Sequence, residues 1–97
     1  MIKKDSVNTL RLKYKNRFVV VKLIYEDVGL VNVSVSAPVT PAEKSSFNKV
    51  SSTISKLVYS GIRSRRSILG KLERMVGVEQ DVLIFMLKVF RDHVILE

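Results

Sequence analysis

Residues 9–25 read TLRLKYKNRFVVVKLIY, and this stretch decides the fold. Its first half alternates strictly between apolar and basic side chains, which is typical of a strand with one buried face. Asn16-Arg17 can form a two-residue hairpin turn, because asparagine tolerates a positive φ at the first central position. A second strand then runs from Phe18 to Tyr25. This turn predicts one wholly apolar face, with Tyr14 paired to Val19, Leu12 to Val21 and Leu10 to Leu23.

A third strand is predicted over residues 30–37, where valines alternate with Asn32, Ser34 and Ser36. A shift of one residue would move every valine to the other face. The register that continues the apolar face needs an odd-numbered loop with Gly29 at a left-handed bulge position. It places Val31, Val33 and Val35 beside Leu23, Val21 and Val19. The sheet is therefore predicted to be a three-stranded antiparallel meander.

A helix start follows at Thr40-Pro41-Ala42-Glu43, with Thr40 as N-cap, proline at the first helical position and Glu43 completing a capping box. The helix is predicted to end at Ser60-Gly61, since Gly61 suits the position just beyond a helix. Its apolar face consists of Phe47, Val50, Ile54, Leu57 and Val58, and its polar face contains Ser45, Lys49, Ser52 and Lys56.

Two further helices are predicted after this one. Ser64 can cap a helix that runs to about Val76 and buries Ile68, Leu69, Leu72, Met75 and Val76. The third helix starts at Glu79-Gln80-Asp81, where acidic residues suit the helix dipole, and runs to about His93. The predicted fold class is α+β, with a three-stranded antiparallel meander followed by three helices on one face of the sheet. It forms one domain over residues 1–97, with residues 1–8 as an arm.

The third helix is apolar around nearly its whole circumference between residues 82 and 90, which is more apolar surface than a small monomer can cover. We therefore expect a homodimer, with Phe85, Met86, Val89 and Phe90 at the interface. The segment Val94-Ile95-Leu96 could pair as a short strand or pack under a partner.

The 97-residue chain has a net charge of +8, and the charge is segregated. Residues 1–25 carry seven basic and one acidic side chain, and residues 44–74 carry eight basic and one acidic. Two basic blocks favour a polyanion as partner, although a surface that is simply basic is the alternative. The amino terminus lacks the apolar region of a signal peptide, and residues 82–90 are too few to span a bilayer. We expect a soluble, cytoplasmic protein that does not bind membranes.

The sequence offers little for catalysis or for metal and cofactor binding. There is no cysteine and one histidine, so thiolate chemistry and His-rich metal sites are excluded. The paired carboxylates Glu26/Asp27 and Glu79/Asp81 have ordinary roles in a loop and at a helix start. No glycine-rich phosphate loop is present. We expect no enzyme activity, no cofactor, no metal and no small-molecule substrate.

The strongest local signal is the segment 61–67, GIRSRRS, at the start of the second helix. Arg63, Arg65 and Arg66 meet free backbone N–H groups there, and guanidinium groups match phosphate. The alternative is a solvated turn whose arginines cover the core. The predicted phosphate-binding residues of this region are Arg63, Arg65, Arg66, Ser67, Lys71 and Arg74.

The open face of the sheet is the second predicted nucleic-acid surface. A phenylalanine among basic side chains suits single-stranded nucleic acid, since the ring stacks a base and the charges follow the backbone. The predicted residues are Arg11, Lys13, Lys15, Arg17, Phe18 and Lys22. Alternatively, Phe18, Val20 and Ile24 form a dimer face or are covered by the terminal segment.

Residues 54–96 resemble the winged-helix and helix-turn-helix family of DNA-binding proteins. The resemblance rests on the glycine turn Val76-Gly77-Val78 and on the spacing of Ile54, Leu57, Gly61, Ile68, Leu72, Leu83, Met86, Phe90 and Ile95. It implies DNA binding by a helix. Because the third helix opens with two acidic residues and continues apolar, we expect the basic second helix to face the nucleic acid.

These observations favour a non-enzymatic nucleic-acid-binding protein, with DNA preferred over RNA, that acts as a homodimer and serves as a regulator or architectural protein of a plasmid or virus. The alternative function is a structural or adaptor module that docks on another polypeptide through its apolar carboxy-terminal helix.

Overall fold

The computed structural model describes residues 6–27, 29–36 and 40–94. It contains three strands, β1 (Ser6–Tyr14), β2 (Arg17–Glu26) and β3 (Gly29–Ser36), followed by three helices, α1 (Pro41–Tyr59), α2 (Arg65–Glu73) and α3 (Gln80–His93). The strands form one antiparallel sheet in the order β1-β2-β3. The predicted α+β class and the meander are confirmed.

The β1–β2 hairpin differs from its predicted register by two residues. Tyr14 pairs with Arg17, so the two-residue turn is Lys15-Asn16 and not Asn16-Arg17. Lys15 takes a positive φ of 56°, a conformation that costs a residue other than glycine roughly 1–2 kcal/mol. A shift of two residues keeps every side chain on its predicted face. The apolar pairs are Leu12 with Val19 and Leu10 with Val21.

The pairing of β3 with β2 is also shifted by two residues, and again the faces are as predicted. Val33 lies opposite Leu23, and Val35 lies opposite Val21. The ladder is interrupted between Ile24 and Tyr25, whose partners are Asn32 and Leu30. The bulge therefore leaves Val31 as the extra residue, whereas Gly29, with its φ of 105°, lies next to the loop.

The core lies between one face of the sheet and the three helices. Val19, Val21, Leu23 and Val33 are buried from the sheet side. The predicted face of α1 is buried with them, and its predicted polar face is exposed. The serines of α1 add polar contacts to β3: the Ser55 hydroxyl donates to the Val31 carbonyl oxygen at 2.6 Å, and the Ser51 hydroxyl donates to that of Val33.

The capping box of α1 is confirmed. The Glu43 backbone N–H donates to the Thr40 hydroxyl oxygen at 3.2 Å, and the Thr40 backbone N–H donates to Glu43 Oε1 at 2.9 Å. At the other end, Ser60 is the C-cap and Gly61 follows with a φ of 96°. Residues of one short segment thus determine each end of this helix.

The second helix ends earlier than predicted. Arg74 is its C-cap, and the Met75 backbone N–H donates to the Leu72 carbonyl oxygen. Val76, predicted to lie on the buried side of this helix, is instead 87% exposed in the turn before α3. The bounds of α3 agree with the prediction, and the Ser46 hydroxyl accepts a hydrogen bond from the backbone N–H of its N-cap, Glu79.

Parts of three predictions fall outside the described residues. Residues 6–8, assigned to an arm, form the start of β1, while residues 1–5 are not described. The predicted strand end at residue 37 and the segment 95–97 are also outside the description. None of the described helices is both long enough and apolar enough to span a bilayer.

Candidate nucleic-acid interface

One face of the sheet carries none of the described helices. Alternation along the strands turns Arg11 and Lys13 of β1 to this open face, together with Phe18 and Lys22 of β2. Val20 and Ile24 complete β2 there and are half-buried. The polar side chains Asn32, Ser34 and Ser36 of β3 continue the surface, because they lie opposite Ile24, Lys22 and Val20.

Phe18 is the aromatic residue of the open face, and it is 55% exposed. The Arg11 guanidinium carbon lies 4.9 Å from the centroid of its ring, within cation–π distance. Lys13 lies directly across the ladder from Phe18. Among the described residues, no carboxylate forms an ion pair with Arg11, Lys13 or Lys22. The open face therefore offers three uncompensated cations around an accessible ring.

Lys15 and Arg17, which we predicted as nucleic-acid ligands, contact a carboxylate of the protein instead. Lys15 Nζ lies 2.9 Å from Glu43 Oε2, and Arg17 Nη2 lies 2.8 Å from Glu43 Oε1. Tyr14 also donates to Glu43 Oε2, at 3.1 Å. All three groups join the hairpin turn to the start of α1, and the predicted contacts of Lys15 and Arg17 with nucleic acid stay predictions.

This environment perturbs the ionisation of the residues around Glu43. The backbone hydrogen bond from Thr40, followed by the hydrogen bond from Lys15, lowers the pKa of Glu43 to about 2. The same carboxylate raises the pKa of Lys15 through their hydrogen bond. Burial, with the hydrogen bond to Glu43, raises the pKa of the Tyr14 hydroxyl. The cluster thus holds Glu43 ionised and Tyr14 neutral at neutral pH.

The guanidinium groups of the three arginines near the start of α2 have different surroundings. The Arg65 guanidinium donates to the carbonyl oxygens of Phe90 at 3.0 Å, Arg91 at 3.1 Å and Val94 at 2.7 Å. It therefore donates to carbonyl groups at the end of α3, where helix carbonyls lack intrahelical partners. The carbonyl oxygen of Phe90 also accepts a hydrogen bond from the Val94 backbone N–H at 3.4 Å. Arg65 thus has a structural contact, and its predicted contact with phosphate stays a prediction.

Arg63 is also turned toward the protein. An ideal Cβ placed on Gly29 would lie 2.3 Å from Arg63 Nη2, so the guanidinium group rests against the backbone at Gly29. The side chain is half-buried. This contact links the segment between α1 and α2 to the beginning of β3.

The other predicted residues of α2 remain on the surface. Arg66, Ser67, Lys71 and Arg74 are all exposed. Arg65, Arg66 and Arg91, with Leu69, Gly70 and Glu73, line a depression of about 550 Å³ between α2 and α3. Three guanidinium groups and one carboxylate leave this depression positively charged.

The four residues predicted at a dimer interface pack within a single chain. Met86, Val89 and Phe90 are buried in the core, which removes them from any surface that a second copy could reach. The Phe85 ring, only partly buried, packs edge-on against Tyr14 at 5.2 Å and Phe47 at 6.0 Å between centroids. The reason is that the sheet and the other two helices cover more of α3 than its sequence indicates. Homodimerisation itself stays a prediction.

One basic surface was not identified from the sequence. The outward face of α1 exposes Lys44, Lys49 and Lys56 beside the exposed Val76. The signal was present, because Glu43 is the only acidic residue among the 19 of this helix and is required for the capping box. The same pattern of lysines and serines is also typical of the solvent-exposed side of an amphipathic helix.

Comparison with known proteins identifies no relative of this chain. Neither a protein-family model, nor a curated protein sequence, nor a solved structure matches the chain. The resemblance to winged-helix and helix-turn-helix proteins over residues 54–96 therefore stays a prediction.

Proposed function

We propose that this protein binds nucleic acid without catalysing a reaction, with DNA preferred over RNA, and that the open face of the sheet is its main binding surface. The observation that carries the proposal is the arrangement of Arg11, Lys13 and Lys22 around the exposed ring of Phe18. Cations track the phosphates, and the ring offers a stacking partner for a base.

The position of Arg11 strengthens the proposal. Its guanidinium group lies over the Phe18 ring, and a planar guanidinium can itself stack on a base while it contacts a phosphate. Lys13 and Lys22 lie on the same surface with no carboxylate in the described structure to neutralise them. A polyanion would supply the missing negative charge.

The exposed residues of α2 support the proposal as a second group of phosphate contacts. Arg66, Lys71 and Arg74 form no ion pair within the described part of the chain. They lie on α2 or at its C-cap, and we expect this helix to face DNA because the third helix is acidic at its start and then apolar. Arg63 and Arg65 are not included, since their guanidinium groups serve the fold.

A mobility-shift titration at several salt concentrations tests the charges. Each phosphate contact contributes roughly −0.9 to the log–log salt slope on duplex DNA and roughly −0.7 on a single strand. Lys13→Gln combined with Lys22→Gln should therefore reduce the slope on a single-stranded probe by about 1.4. Asn8→Glu combined with Gln80→Glu lowers the net charge by the same two units at exposed positions outside the open face and serves as the control. An equal change in both proteins would mean that only net charge matters.

Phe18→Leu tests the ring, because it removes the stacking surface and leaves the charge unchanged. Stacking of one base on an aromatic ring contributes about 1–3 kcal/mol, so single-strand affinity should fall about 5- to 150-fold. Duplex affinity should change much less, because the bases of a duplex are already stacked. Equal affinities of the variant and the natural protein for a single strand would exclude the ring from binding.

A second function, docking of another polypeptide on α3, is favoured by two observations. Ile84 is 55% exposed on the outer side of this helix. A crevice of about 210 Å³ lies between β1 and α3 and is lined by Leu12, Lys13, Phe85, Lys88, Val89 and His93. It has an apolar floor that could hold one side chain of a partner. Absence of nucleic-acid binding, together with retention of a polypeptide partner that Ile84→Lys abolishes, would favour this second function.

A further inference from the structure

The outward face of α1 forms one wall of a groove of about 690 Å³. Lys44, Lys49 and Lys56 lie along this wall, interspersed with the hydrogen-bonding side chains of Ser45, Asn48, Ser52 and Thr53. At a rise of about 1.5 Å per residue, Lys44 and Lys56 are about 18 Å apart along the helix axis. The basic surface is therefore long enough to follow several phosphates of one strand.

The other wall is formed by Met75 and Val76 in the connection between α2 and α3. One hydrogen bond and one backbone conformation fix this connection. Lys49 Nζ donates to the Gly77 carbonyl oxygen at 2.9 Å, and Gly77 itself has a φ of 75° that favours glycine. Val76 projects from the wall with 87% of its surface exposed. The groove is thus bounded by two elements that are fixed to each other.

The charge of the groove is uniformly positive. None of its lining residues is acidic, and neither Lys44 nor Lys56 forms a hydrogen bond or ion pair within the described part of the chain. The single acidic residue of α1, Glu43, is turned to the opposite side and is 4% exposed. Cations, hydroxyl groups and an amide, with no competing carboxylate, are the donor set that phosphate–sugar backbones meet in proteins.

This groove and the open face of the sheet lie on opposite sides of the core. The groove is on the side of α1 that faces away from the sheet, and the open face is on the side of the sheet that faces away from α1. The buried residues of α1 face the sheet, so Lys56 and its neighbours face away from it. The open face likewise faces away from the helices. A straight duplex or strand bound on one surface cannot reach the other.

We propose that the groove between α1 and Met75–Val76 is a second binding surface for the phosphate backbone of nucleic acid, so that a single chain bridges two nucleic-acid segments. This inference rests on the proposed function and deepens it, because it assigns an architectural role to one domain without requiring a second copy. A monomer with one binding surface can bind nucleic acid but cannot join two segments.

A bead-capture assay tests bridging directly. A biotinylated 30-base-pair duplex is immobilised, the full-length protein is added, and capture of a second, fluorescent duplex or 30-nucleotide single strand is measured. The natural protein should capture the second segment in proportion to the protein bound. Lys44→Gln combined with Lys56→Gln should lower this capture at least about tenfold and lower the salt slope of the second binding event by about 1.8.

Two further proteins complete the design. Lys13→Gln with Lys22→Gln should also lose capture, since it weakens the other surface. Asn8→Glu with Gln80→Glu, with the same loss of charge as each double variant, should retain capture. Circular dichroism spectra should be unchanged in all variants, because each replaced side chain is exposed and has no partner in the described structure.

The outcomes separate this inference from the proposed function. If the natural protein fails to shift any nucleic acid, the proposed function is wrong. If it binds one segment but captures no second segment, the groove is not a second site. If the Lys44/Lys56 variant captures as well as the natural protein, the groove is also not a second site, and the bridging arises from self-association. Binding of this groove to vesicles of anionic lipid, with no change in nucleic-acid capture on its mutation, would likewise overturn the inference.

Discussion

Arg65 is predicted to be the most important arginine for stability, although it lies in the segment whose sequence best matches a phosphate site. Arg65→Met retains an unbranched apolar side chain and removes the three hydrogen bonds to the end of α3. The bonds to Phe90 and Val94 are partly buried, whereas the one to Arg91 is exposed and contributes little.

The expected loss follows from these contacts. Two partly buried hydrogen bonds from a charged donor are worth about 1.5 kcal/mol each, at the lower end of the range for such bonds. Because Arg65 is also the first residue of α2, its favourable interaction with the dipole of α3 and its unfavourable interaction with that of α2, about 0.5 kcal/mol each, largely cancel. We therefore expect Arg65→Met to lower the free energy of unfolding by about 3 kcal/mol. For a domain of this size, that corresponds to a decrease of roughly 12–24 °C in Tm.

Urea denaturation followed by circular dichroism measures this change, and the neighbouring residue provides a matched control. Arg66 is exposed and forms no hydrogen bond in the described structure, so Arg66→Met should change the free energy of unfolding by less than about 0.5 kcal/mol. If the two variants were equally stable, the interaction of Arg65 with the end of α3 would not stabilise the fold.

Three other predictions concern stability and assembly. The folded-state pKa of Glu43 is about 2 against an ordinary value of 4.5, so its ionised form stabilises the fold. That contribution should be complete above about pH 4.5 and lost as the pH falls toward 2. Glu43→Gln should have a smaller free energy of unfolding at pH 7, and this free energy should fall less between pH 4.5 and 2 in an acid titration. Gly29→Ala should lower the free energy of unfolding by more than the roughly 1–2 kcal/mol of its positive φ, because the new Cβ would also displace Arg63; equal urea midpoints would contradict this. If a dimer forms through α3, Ile84→Lys should convert it to a monomer in sedimentation equilibrium, whereas an unchanged mass would place any dimer interface elsewhere.

The features that the sequence predicted correctly are those determined by neighbouring residues. The capping box at Thr40 and Glu43 lies within four residues, and alternation alone assigns Leu10, Leu12 and Val21 to the buried face. The fold class and the faces of α1 follow from such periodic patterns. They are confirmed because each pattern has one arrangement that buries its apolar side chains.

The features that the sequence did not predict depend on residues far apart in the chain. Alternation fixes which face a side chain occupies but not a shift of two residues, and the hairpin turn is instead held by Glu43, 28 residues after Lys15. Arg65 has the composition of an anion site, yet its acceptors are 25 to 29 residues away at the end of α3. The fraction of the α3 surface that is buried depends on where the sheet and the other helices lie, and the apolar residues of α3 alone do not determine this.

The serine contacts from α1 to β3 also limit how this protein can polymerise. A sheet with two unpaired edges can add strands on both sides, and it can then grow into an open-ended fibre. Here Ser51 and Ser55 occupy backbone acceptors of one outer strand, which leaves β1 as the unpaired edge among the described residues. A chain with one such edge can pair with one copy of itself and then has no edge left. Association through the sheet would therefore stop at two chains.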